Sequence, residues 1–84
     1  MDNQIDIAIL QDLEDELTRA MKWGNYNSAH EGYGVLLEEM DELWDHVKTN
    51  QKNRDLVAMR QEAIQVAACA IKFVTMIDCG MGRK

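Results

Sequence analysis

The chain reads as an all-α protein. Apolar residues recur at three- and four-residue steps in three separate stretches. Proline is absent, and β-branched residues do not alternate with polar ones. The 84 residues make one domain. A domain of this size buries only a modest core. The predicted architecture is an antiparallel three-helix unit that pairs into a multi-helix bundle by homo-oligomerisation.

The first helix is predicted over about residues 6–22, where Ile9, Leu10, Leu13, Leu17, Ala20 and Met21 form one stripe. Gly24 ends it, and Asn25-Tyr26-Asn27 reads as a turn. The second helix, about 29–48, has the clearest start signal. In Ser28-Ala29-His30-Glu31 the hydroxyl accepts from the amide three residues on, and the carboxylate reaches back. Tyr33, Leu36, Leu37, Met40, Leu43, Trp44 and Val47 then form the apolar stripe. Glu38, Glu42 and Asp45 fall on the other side, with Glu39 at the border. Gly32 and Gly34 weaken the first turns by up to about 1 kcal/mol each relative to Ala. Gly34 is the expected point of close backbone approach.

A polar connection follows, with Asn50 or Asn53 as the expected cap of the third helix, about 54–79. That helix is apolar over most of its circumference, from Leu56 and Val57 to Val74 and Ile77. Gly80 stops it, and residues 81–84 form a tail. Two partner helices do not cover so wide an apolar arc, so a second copy is expected on it, in a homodimer or homotetramer.

Cys69 and Cys79 are ten residues apart on one helix, or about 15 Å at 1.5 Å per residue. That is too far for a disulfide. With no CxxC pair, reduced thiols and a cytoplasmic location are expected. The polar start Met1-Asp2-Asn3-Gln4 is unlike a signal peptide, and no apolar run is long enough to span a membrane. A net charge of −6 disfavours binding to a nucleic-acid polymer. It does not exclude a free nucleotide, because a metal ion reverses the local sign.

The chemistry lies in two acidic clusters on neighbouring helices. Glu38-Glu39-Met40-Asp41-Glu42 is on the second, and Glu62 with Gln65 on the third. Carboxylates three or four residues apart share a helix face. Two such faces supply the oxygen set of a hard cation such as Mg²⁺, with Mn²⁺ as a substitute. Such a cation points to a phosphate-bearing substrate. Glu39 and Glu62 border apolar arcs, where an unpaired carboxylate is costly. A shared metal would meet that cost; so would an ion pair with Arg19 or Arg60. No Glu-x-x-His di-iron pattern and no glycine-rich phosphate loop is present, and Cys69 reads as a core residue.

The run Glu38-Glu39-Met40-Asp41-Glu42, followed by Glu62-Ala63-Ile64-Gln65, resembles the MazG-like all-α nucleoside triphosphate pyrophosphohydrolases. Their pattern is Glu-Glu-x-x-Glu on one helix and Glu-x-x-Asp on the next. Lys22-Trp23-Gly24, His30-Glu31-Gly32-Tyr33, Leu36-Leu37-Glu38-Glu39 and Glu62-Ala63-Ile64-Gln65-Val66-Ala67-Ala68 look most like the short, phage-type members. The resemblance covers about residues 15–78.

It implies Mg²⁺-dependent hydrolysis of (deoxy)nucleoside triphosphates to a monophosphate and pyrophosphate, in nucleotide-pool housecleaning. It assigns Glu38, Glu39, Glu42 and Glu62 to the metal, with Gln65 offering an amide oxygen and Glu38 or Glu39 orienting or deprotonating the attacking water. Gln65 stands where the broader family has Asp, which leaves looser metal binding, different water activation or a non-catalytic member open. Glutamine there is also the phage-type pattern. Trp23 beside Lys22 would stack on a base or anchor the first loop. His30 sits beside the cap of the second helix, as a substrate contact or a surface residue. Lys48, Lys52, Arg54 and Arg60 surround the second loop, within reach of a phosphate tail or simply solvated. The alternative function is a non-catalytic helical interaction or regulatory module that keeps the same bundle.

Overall fold

The computed structural model describes residues 5–80. Residues 1–4 and the tail expected over 81–84 lie outside them. The protein is all-helical: α1 (Ile7–Met21), α2 (Ala29–Val47), a single 3-10 turn at Gln51–Asn53, and α3 (Leu56–Asp78).

The helix ends follow from local hydrogen bonding. Asp6 Oδ1 accepts from Ala8 N at 2.8 Å and opens α1. Gly24 turns the chain with φ +77°, where glycine alone is unstrained. Ser28 Oγ accepts from Glu31 N at 3.1 Å and opens α2. The Glu31 carboxylate takes a bond from Asn27 Nδ2 at 3.1 Å, in place of the expected return to Ser28. Neither Asn50 nor Asn53 caps α3. Asn50 caps the 3-10 turn through Lys52 N, and Asp55 caps α3 by accepting from Ala58 N at 3.1 Å. Gly80, at φ +80°, follows the end of α3.

α1 and α2 each pack on α3, and no Cα atoms of α1 and α2 lie within 8 Å of one another. Contacts with α1 climb both helices together: Asp12 with Arg60, Glu16 with Gln61, Ala20 with Lys72. Those with α2 run in opposite directions, from Gly32 beside Phe73 to Glu42 beside Glu62. α3 is thus parallel to α1 and antiparallel to α2, and a cleft remains between the two outer helices.

The buried core is small: Tyr26, Ile64, Ala68, Cys69 and Met76. α2 meets α3 along a different line from the expected stripe. Gly32 is buried, and Val35, Leu36, Glu39, Leu43 and His46 are half-buried. Tyr33, Leu37, Met40, Trp44 and Val47 stay exposed. Gly32 sets this rotation, because it admits the Phe73 and Tyr26 rings against the α2 backbone. A Cβ there would lie 2.7 Å from Phe73 Cδ2 and 2.8 Å from Tyr26 Cδ2.

The close approach therefore belongs to Gly32 and not to Gly34, where a Cβ meets nothing within 4 Å. Gly32→Ala should cost about 1–3 kcal/mol through overpacking. Gly34→Ala should gain up to about 1 kcal/mol from helix propensity. Thermal melts of the two variants check both signs.

Candidate metal centre

The antiparallel α2/α3 contact brings the acidic clusters face to face. Glu39 and Glu42 from α2 and Glu62 from α3 each offer an oxygen, and these oxygens lie within 4.8 Å of one another. Glu39 and Glu62 are half-buried and Glu42 is exposed. Glu38, though adjacent in sequence, is exposed and lies outside this group.

The cluster is electrostatically strained. Burial, then the charges of Glu42 and Glu62, push the Glu39 carboxyl up to about 7. Burial also raises Glu62, together with hydrogen bonding to Glu42 and its charge, while His46 pulls the other way. The two arginines expected as alternative partners of the site are engaged elsewhere. Arg19 pairs with Glu16 at 2.6 Å and Arg60 with Asp12 at 2.7 Å. Among the described residues, then, no lysine or arginine pairs with the three carboxylates. Three crowded carboxylates without a paired lysine or arginine fit a hard divalent ion by donor type.

Gln65 occupies the remaining side. Its amide faces two carboxylates, so the group turned toward them is the NH₂. Nε2 then donates to Glu62 Oε2 at 2.9 Å and to Glu39 Oε2 at 3.0 Å. In this geometry Gln65 meets the carboxylates as a donor.

Glu39 and Gln65 also border the cleft between α1 and α2, which encloses about 290 Å³. Its floor is the face of α3 formed by Gln65, Ala68, Cys69 and Lys72. Burial pushes the Cys69 thiol up, against a hydrogen bond from Tyr26, so it stays protonated and unreactive, as expected of a core cysteine.

No protein-family model, curated protein or solved structure matches the chain.

The remaining residues singled out from the sequence are scattered. Trp23 lines the cleft but is 87% exposed, so it is not an anchor under the first loop. Lys22 follows α1 and is exposed. His30 lies in a shallow apolar depression with Ala29, Tyr33 and Phe73, apart from the cleft. Lys48 pairs with Asp45 at 3.0 Å. Arg54 donates to the carbonyls of Thr49 and Val47 and closes the end of α2. Lys48 and Arg54 thus take local partners, Arg60 pairs across to α1, and none of the three lines the cleft. Sequence reasoning missed Lys72. Its signal was present: Lys72 is the one charged residue between Gln65 and Asp78, and it falls seven positions, two turns, after Gln65.

Proposed function

We propose that the protein is a Mg²⁺-dependent nucleoside triphosphate pyrophosphohydrolase. It would cleave (deoxy)nucleoside triphosphates to monophosphate and pyrophosphate in the cytoplasm. The observation that carries this reading is the convergence of Glu39, Glu42 and Glu62 with no lysine or arginine paired to them among the described residues, beside a cleft that Glu39 also lines and that is large enough for a nucleoside. The resemblance of the two acidic clusters to the MazG-like pattern points the same way.

Glu39, Glu42 and Glu62 would hold the metal, with Mn²⁺ able to replace Mg²⁺. Bound there, the cation supplies neutralisation of charge on the phosphates. Gln65 fixes the facing oxygens of Glu39 and Glu62. Glu38, exposed one turn before Glu42, is free to orient the attacking water and accept its proton. The half-buried setting of Glu39 strengthens each of these interactions by limiting water.

A second reading draws on Gln65. Its amide already bridges Glu39 and Glu62 without a cation, which suits a non-catalytic helical module. Pyrophosphate release from a panel of nucleoside triphosphates with Mg²⁺ separates the two: the hydrolase releases it, the module does not.

The exposed line Tyr33, Leu37, Met40, Trp44 and Val47 follows a four-three-four-three spacing. That is the period of a helix-pairing seam. Together with exposed Val57, Val74 and Ile77 on α3, it supports self-association. Light scattering at micromolar concentration should give a dimer or tetramer mass; a monomer mass would remove the oligomer.

A further inference from the structure

The cleft between α1 and α2 contains a buried cation that the proposed hydrolysis does not use. Lys72 is 7% exposed, yet it lines the cleft. Its Nζ donates to Ala20 O at 2.8 Å and lies 4.6 Å from the centroid of the Tyr26 ring. The ion pairs among the described residues are Arg19–Glu16, Lys48–Asp45 and Arg60–Asp12, so Lys72 has no carboxylate partner. An ammonium has three donors. One carbonyl and one ring face leave a donor for a group that enters the cleft. A buried cation without a counter-charge is costly unless something of that kind completes it.

We propose that Lys72 reads the base of the nucleotide, by donating to a ring carbonyl oxygen. This inference rests on the pyrophosphohydrolase reading and names its substrate class: nucleotides with oxo-bearing bases, in preference to adenine.

The placement follows from α3. Gln65, Ala68, Cys69 and Lys72 share one helix face, and Lys72 lies about 10 Å along the axis from Gln65 at about 1.5 Å per residue. Phosphates held at Glu39, Glu42 and Glu62 leave that length of cleft to the sugar and base. The opposite orientation, with the terminal phosphate at Lys72, is disfavoured by the lining. A phosphate is met by several cations or backbone amides. Here the guanidinium of Arg19 is taken by Glu16, and Lys72 Nζ meets the Ala20 carbonyl and the Tyr26 ring. The lining also carries Glu16, Arg19, Glu39 and Gln65, but at the Lys72 end a fixed donor beside the Tyr26 ring suits a planar heterocycle that presents an acceptor. Uracil, thymine, guanine and hypoxanthine present a carbonyl on their pairing edge. Adenine, at C6, carries an amino group where guanine and hypoxanthine carry that carbonyl, and cytosine, at C4, does so where uracil and thymine carry it, so a donor fixed against this position would meet a donor.

The test uses kcat/KM of the full chain with Mg²⁺ for inosine triphosphate and purine riboside triphosphate, which differ in the 6-oxo group and the N1–H that accompanies it, and for UTP and ATP. The wild-type protein should favour the oxo member of each pair by about tenfold or more, because a site built to hydrogen-bond a group rejects the analogue lacking it. Lys72→Met should bring both ratios to within about twofold, and Lys72→Arg should keep the preference. Binding of inosine and purine riboside monophosphates to the wild-type protein without metal, followed by the backbone amide signals of Ala68, Cys69 and Lys72, gives a second readout. It does not depend on how the variants fold, and only the inosine nucleotide should shift these signals strongly. Turnover of both members of each pair at similar rates, with equal shifts by both monophosphates, would overturn the base assignment alone. Failure to hydrolyse any nucleotide would instead remove the pyrophosphohydrolase reading.

Discussion

Glu39→Gln should yield a helical protein that is more stable than the wild type in metal-free buffer at pH 8 and no longer releases pyrophosphate. Both effects come from one cause. Glu39 shares a small volume with Glu42 and Glu62, and its carboxyl is held up at about 7 by burial and by their charges. At pH 8 the folded protein therefore carries a carboxylate in a setting that disfavours it. Replacing it by the isosteric amide relieves this by about 1–2 kcal/mol, once solvent screening is allowed for. The same change removes a charged ligand from the proposed metal set. Outer partners of metal ligands alone are worth about 10–100-fold, so loss of a direct ligand should cost at least on the order of a hundredfold in kcat/KM. Glu62→Gln should behave alike. A solvated acidic patch would give neither signature, because an exposed glutamate can be neutralised with little consequence. Melting temperature and pyrophosphate release, measured on the same preparations, check both halves. Undiminished turnover in Glu39→Gln and Glu62→Gln would refute the catalytic assignment.

The second large effect is a stability profile whose dependence on pH changes sign with Mg²⁺. The Glu39 carboxyl is raised from 4.5 to about 7 in the folded protein, and that of Glu62 is raised as well. Between these values the folded state binds more protons than the unfolded one, so stability falls as pH rises. The stabilising contribution of protonated Glu39 is fully present below about 4.5 and is lost as pH passes about 7. Mg²⁺ reverses the slope, since it binds only the deprotonated cluster and stabilises the folded chain by mass action. The increase in melting temperature caused by millimolar Mg²⁺ should be near zero at pH 5. At pH 8 it should reach several degrees, at about 4–8 °C per kcal/mol for a chain of this size. An Mg²⁺ effect that is equal at both pH values would mean that these carboxylates do not bind the ion.

The sequence made the helices legible through their ends. Ser28, Gly24 and Gly80 act locally, through a hydroxyl cap and two left-handed turns, and local rules suffice for them. The rotation of α2 was not legible. Its apolar residues fall on two adjacent lines, and periodicity does not say which of them meets α3. Gly32 decides, because Phe73 and Tyr26 press onto its backbone, a contact between distant parts of the chain. At the site, Glu39 stood out because it bordered the apolar stripe, and it is half-buried in the cluster. Glu38 carried the same motif weight but lies on the exposed side. The partners of the loop cations are local: a helix end for Arg54, an acid three residues away for Lys48. Lys72 was overlooked because it belongs to neither acidic cluster nor to the polar loop, and a lone lysine in an apolar run carries no motif. Its position two turns after Gln65 puts it on the cleft floor.

Crystals soaked in Mn²⁺ and measured at the manganese absorption edge give the most direct test. An anomalous peak bounded by the carboxylates of Glu39, Glu42 and Glu62, absent from Glu39→Gln crystals, is the expected result. Soaked crystals with no peak there, and these side chains unmoved, would show that α2 and α3 hold no ion between them.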